Sequence, residues 1–142
     1  MYRVEGSVDT ANPYMVCAHM DVVPPGDLSG WDRDPFLGQT VTEDDGIDYV
    51  YGRGAIDSKH TLFGILEALD YGVVKGWRPR RTFYVAFGHD EEVSGHQGAA
   101  YIAKHIKEVL KINDEKLDFI LDEGLFVTQG VIPGESKSNT LK

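Results

Sequence analysis

Apolar residues recur along this chain with two different spacings. Tyr14-Met15-Val16-Cys17-Ala18 is a short continuous apolar run after Asn12-Pro13, and it gives way at His19 to the stretch that holds Pro24-Pro25-Gly26-Asp27. An apolar run bounded by turn residues predicts a buried strand and then a loop. From Ser58 to about Trp77 the spacing changes, with Leu62, Ile65, Leu66, Leu69 and Val73 three or four residues apart. That spacing predicts an amphipathic helix, which Pro79 prevents from continuing. Thr82-Phe83-Tyr84-Val85-Ala86-Phe87 is β-branched, aromatic and apolar at successive positions, as a strand buried on both faces must be, and Gly88 ends it. A second helix is predicted from Gln97 to about Leu110 on Ala100, Ile102, Ala103, Ile106, Val109 and Leu110, with a further strand over Leu117–Leu121. Strands alternating with helices predict an α/β domain whose partly parallel sheet is flanked by helices.

Composition narrows the class of partner. The 142 residues suffice for one domain, or a piece of one, around a single core. Fourteen Lys and Arg against 23 Asp and Glu leave a net charge of −9, the wrong sign for a nucleic-acid binder. No apolar stretch approaches the ~18 residues needed to span a bilayer, and the N-terminal residues lack the apolar core of a signal peptide. A single cysteine, Cys17, rules out an intramolecular disulfide and leaves the compartment open. The polar, unpatterned segment 134–142 reads as a tail or a truncation end, following a domain over residues 1–133.

In open α/β sheets, ligands bind beyond the carboxyl ends of the strands, so chemistry is sought just after each predicted strand. His19 and Asp21 follow the first, Asp90, Glu91 and Glu92 follow the second, and Asp122 and Glu123 follow the third; Asp57 precedes the first helix. Several carboxylates converging on one edge repel each other unless cations neutralise them. Imidazole nitrogen with carboxylate oxygen is a ligand set suited first to zinc. Each element also has an ordinary reading. His19 alone would be a satisfied core histidine, Asp57 a helix N-cap, and Asp90-Glu91-Glu92 a solvated turn. Asp21, two residues from His19 in extended backbone, points to the same face and is placed to orient a ligating ring. Cys17 reads as a buried structural thiol. Gly52-Arg53-Gly54-Ala55 lacks the Gly-Lys-Ser/Thr end of a phosphate loop.

Four segments in order carry a resemblance: Ala18-His19-Met20-Asp21-Val22-Val23-Pro24, Gly52-Arg53-Gly54-Ala55-Ile56-Asp57-Ser58-Lys59, Asp90-Glu91-Glu92-Val93-Ser94-Gly95 and Leu121-Asp122-Glu123-Gly124. They resemble the motifs of the di-zinc exopeptidases and amidohydrolases that include aminoacylase and carboxypeptidase G. Trp31-Asp32-Arg33-Asp34-Pro35-Phe36 and Gly64-Ile65-Leu66-Glu67-Ala68-Leu69 look like its carboxypeptidase S and N-fatty-acyl-amino-acid synthase/hydrolase branch. The resemblance implies two zinc ions per complete catalytic domain. His19 would hold one, Asp57 both and Glu92 the other, with one of Asp122 and Glu123 completing the set. Glu91 would be the general base, and Asp21 the carboxylate behind His19. The implied reaction is hydrolysis, or reversible synthesis, of the amide bond in N-acyl amino acids or small peptides.

The family's catalytic domain continues into a second half that supplies a fifth ligand, a histidine, and carries an inserted domain used in dimerisation. Neither occurs before Lys142, so the chain is expected to be the N-terminal part of such a domain, with a homodimer expected only of the complete protein. The resemblance implies a secreted, vacuolar or lysosomal protein if it is like the nearer branch, and a cytoplasmic one if it is like aminoacylase. The alternative reading is a non-catalytic metal-binding or regulatory fragment.

Overall fold

The computed structural model describes residues 1–111 and 116–124 of the chain. Its elements are β1 (Tyr2–Val4), β2 (Tyr14–His19), β3 (Gln39–Thr42), β4 (Asp48–Tyr51), α1 (Lys59–Val74), β5 (Phe83–Gly88), α2 (Ala99–Glu108) and β6 (Ile120–Leu121). β5, the most apolar stretch, lies inside a four-stranded sheet of order β1-β5-β2-β6. β1 runs antiparallel to β5, whereas β2 pairs in parallel with both β5 and β6. The expected α/β class with a partly parallel sheet is therefore the one observed. Pairing His19 with Gly88 and Val16 with Leu121 brings the carboxyl ends of the three parallel strands to one edge.

The two-residue alternation along the strands divides their side chains between two helices. Met15, Tyr84 and Ala86 bury against Ile106 of α2, with Cys17, Ile102, Leu110 and Leu117 packed around them. Tyr14, Val16 and Phe83 line the opposite side, where Ile65 and Leu69 of α1 and the ring of Trp77 border an open groove. Tyr14 stacks between Phe83 and Phe119, with ring centroids 5.1 and 4.8 Å away. Val85 retains no exposed surface, and burial of that kind stabilises by about 1.5–3 kcal/mol.

Both predicted helices form, but each buries a narrower stripe than its spacing suggests. In α1, Leu62 is buried and Ile65 and Leu69 are half-buried, while Leu66 and Val73 stay exposed. In α2, Ile106 is buried, whereas Ala100, Ala103 and Val109 stay exposed. The last strand contracts to Ile120–Leu121, although Pro13 and Phe119 extend its bonding to the β2 segment through Asp118 N–H to Pro13 carbonyl (2.8 Å) and Met15 N–H to Phe119 carbonyl (3.1 Å). The antiparallel pair β3–β4 forms a second, separate sheet that the apolar pattern does not predict. Its signal is local: Asp45-Gly46 between two β-rich runs, with Gly46 at φ 76 and Asp45 accepting from the Ile47 amide and the Tyr49 hydroxyl. The segment 134–142 and the boundary at 133 lie outside the described residues. Among the described residues no helix is long and apolar enough to cross a membrane.

Candidate metal centre

His19 ends β2 and is almost wholly buried, with 2% of its surface exposed. Its Nδ1–H donates to the backbone carbonyl of Asp21 at 3.0 Å. That bond leaves Nε2 of the neutral ring as an acceptor pointing at the opening of the site, 3.1 Å from Oδ1 of Asp57 and 3.4 Å from Oε1 of Glu123. Asp57 arrives on the loop before α1, and the peptide joining it to Ser58 is cis. Ser58, not Asp57, occupies the N-cap position, so the Asp57 carboxylate is free to face His19. Gly54 lets this loop pass close to the one that follows β2: its φ is +84, and a Cβ there would lie 2.6 Å from Cγ1 of Val22.

Beyond β5 the chain makes a 3-10 turn over Glu91–Val93. The Asp21 carboxylate accepts the backbone N–H of Glu91 on Oδ1 and that of Glu92 on Oδ2, both at 3.1 Å. Asp90 turns the other way, accepting the Gln97 N–H at 2.6 Å. Beyond β6, Oδ1 of Asp122 accepts the N–H of Glu123, and only the Glu123 side chain reaches the imidazole.

Two groups of ligand atoms result, His19 with Asp57 and Glu92, and His19 with Glu91 and Glu123, each with all atoms within 4.8 Å of one another. Of the seven residues to which the resemblance assigns a role, Asp57, Glu91, Glu92 and Glu123 thus gather around the imidazole of a fifth, His19. Asp21 stands behind the turn, and Asp122 belongs to neither group. Oε1 of Glu92 is buried with no hydrogen-bond partner, an arrangement that is costly for a carboxylate unless a cation completes it. With imidazole nitrogen and carboxylate oxygen as donors, the site fits a divalent metal of the zinc type.

The electrostatics follow the crowding. Burial works against the charged form of His19, but the hydrogen bond to Asp57 and the charges of Glu123 and Glu91 hold its pKa above the ordinary value. Desolvation, opposed by His19 and reinforced by Glu123, Glu92 and Asp57, pushes Glu91 up. Burial also acts to raise Asp21, but the N–H groups of Glu92 and Glu91 prevail and hold it below the usual carboxylate range. Burial pushes the Cys17 thiol up to about 11.

The sequence reading singled out every member of both groups. It did not foresee that the Asp21 carboxylate holds the amides of the Glu91–Glu92 turn, because pairing of a side chain with backbone 70 residues away leaves no trace in composition or spacing.

Residues 15–139 match peptidase family M20/M25/M40, and the chain belongs to that family. It is 45% identical over 134 residues to N-fatty-acyl-amino acid synthase/hydrolase PM20D1.1 of Danio rerio, covering 94% of this chain and 24% of that protein. It is 38% identical over 137 residues to PM20D1 of Homo sapiens, covering 96% and 25%. With carboxypeptidase S of Saccharomyces cerevisiae it shares 38% identity over 126 residues, covering 87% and 21%. The chain thus spans about a quarter of the length of the curated relatives it matches, and the branch is the one its motifs indicate.

Proposed function

We propose that this chain provides the metal-binding part of a zinc-dependent amidohydrolase that cleaves, or in reverse forms, the amide bond of N-acyl amino acids or small peptides. The observation that carries the reading is the gathering of Asp57, Glu91, Glu92 and Glu123 around the one free imidazole nitrogen of His19, which supplies a single ion and leaves carboxylates over for a second. The printed names of the relatives, an N-fatty-acyl-amino acid synthase/hydrolase and a carboxypeptidase, support the substrate class.

In this reading His19, Asp57, Glu92 and Glu123 hold the metal. Bound zinc would supply Lewis acidity, polarising the amide carbonyl and acidifying the attacking water. Glu91 takes the proton from that water and hands it to the departing amine. Its raised pKa suits both halves of the transfer. The Nδ1–H bond to the Asp21 carbonyl keeps the imidazole in one tautomer with Nε2 toward the ions. The complete catalytic protein, assayed for release of free amino acid from an N-acyl amino acid, should lose activity on chelation and regain it with zinc. A rate unaffected by chelation would refute the proposal.

A further inference from the structure

Asp21 stands behind the turn that carries Glu91 and Glu92 and belongs to neither group of ligand atoms. The 3-10 turn that carries Glu91 and Glu92 needs acceptors for its leading N–H groups, which have no partner inside so short a helix. The residue that should supply one, Asp90, makes no side-chain bond to the turn: its Oδ2 accepts the Gln97 amide at 2.6 Å, and its Oδ1 is buried without a hydrogen-bond partner. The acceptors come from the segment that follows β2: the two oxygens of Asp21 take one amide each, both at 3.1 Å. Asp21 is well placed to reach them, because the Met20 N–H bonds to the Gly88 carbonyl at 2.8 Å and draws the chain after β2 against the end of β5.

The other partner expected for this carboxylate is the imidazole. Nδ1 of His19 is 3.0 Å from the backbone carbonyl of Asp21 but 3.4 Å from its Oδ1. The shorter contact belongs to the main chain, which any residue at position 21 provides. We propose that Asp21 is a positioning residue whose carboxylate caps the Glu91–Glu92 turn across the sheet, setting the approach of base and ligand toward His19, while ring orientation depends on its backbone carbonyl. Its significance for catalysis rests on the roles proposed for Glu91 and Glu92, but the capping itself is measurable without metal.

The test is Asp21→Asn, which keeps the shape but turns one acceptor oxygen into an N–H donor facing an amide. In the metal-free full chain, hydrogen exchange at the Glu91 and Glu92 amides should accelerate about 10- to 100-fold, the range for losing a bond to a charged acceptor. Exchange at Val85 and Ala86 in β5 should stay unchanged, and the ring ¹⁵N shifts of His19 should still report the proton on Nδ1. Zinc should bind more weakly. Should the variant fail to fold, scalar coupling across the hydrogen bonds, between the Glu91 and Glu92 nitrogens and the Asp21 carboxyl carbon, can be sought in the unsubstituted protein. Shifted His19 signals with unaltered Glu91 and Glu92 exchange would overturn the proposal, as would uniform acceleration through β5 or absence of the couplings. If the unsubstituted chain binds no zinc while exchange responds as expected, the functional reading fails and the cap stands.

Discussion

Nε2 of His19 and Oδ1 of Asp57, 38 residues apart in the chain, lie 3.1 Å from each other at the carboxyl edge of the sheet. With the ring neutral and its proton on Nδ1 both atoms are acceptors, so the pair is a hydrogen bond only when the imidazole is protonated. The addition of Glu92 on one side and Glu91 with Glu123 on the other gives it the donor atoms of the proposed cation site. Asp57→Ala should therefore weaken zinc binding by more than about 100-fold, since even outer partners of metal ligands are worth 10- to 100-fold. Competitive zinc titration measures this, and unchanged affinity would remove Asp57 from the ligand set.

Glu91→Gln separates a base from a ligand. As base, Glu91 is replaced with zinc still bound and turnover reduced by about 10²- to 10⁴-fold, the usual contribution of a positioned proton acceptor. A fall in zinc stoichiometry in the same variant would instead make Glu91 a ligand.

Proton and metal compete for Nε2 of His19, whose pKa is raised in the metal-free fold. Apparent zinc affinity should climb roughly tenfold per pH unit below that pKa and flatten above it, as expected for loss of one proton on binding. The stability of the metal-free protein responds in the opposite sense: the share due to the charged ring is full below the ordinary value of 6.5 and is lost as pH rises through the folded one. Zinc titrations and metal-free thermal melts between pH 5 and 8, a window of roughly the histidine range, check both signs.

Gly98 lies against the back of the same turn. A Cβ there would fall 2.4 Å from Oδ1 of Asp90 and 2.9 Å from the His89 backbone nitrogen. Gly98→Ala should cost about 1–3 kcal/mol in denaturant unfolding, the usual range for forcing atoms into occupied space.

With its thiol pKa pushed up to about 11 by burial, Cys17 should react slowly with alkylating reagents at neutral pH. Only about one thiol in ten thousand is then ionised. Rapid modification of the folded protein near pH 7 would contradict this.

The sequence revealed the parts of this molecule that depend on strong local patterns. The five-residue apolar block at 83–87 could hardly be anything but a doubly covered strand, and the acids after each strand marked the edge where they meet. The β3–β4 pair escaped because its strands are only four residues long and largely exposed, so no buried face betrays them, although Asp45-Gly46 marks the turn. Leu66 and Val73 belong to the apolar repeat of α1 yet remain uncovered, because spacing reports which residues share a helix face and not how much of that face is packed. At the site, residue types pointed to His19, Asp57, Glu91, Glu92 and the pair Asp122 and Glu123. Which of that pair reaches the imidazole depends on the direction the chain takes as it leaves β6, a matter of three-dimensional course.

Because the parallel strands gather their ends only once β2 lies between β5 and β6, no short stretch of this polypeptide owns the centre. His19, Asp57, Glu92 and Glu123 become neighbours only through long-range pairing, among the slowest events in folding. An ion that needed all of them would be a late arrival, and its capture would report that β2, β5 and β6 have come together.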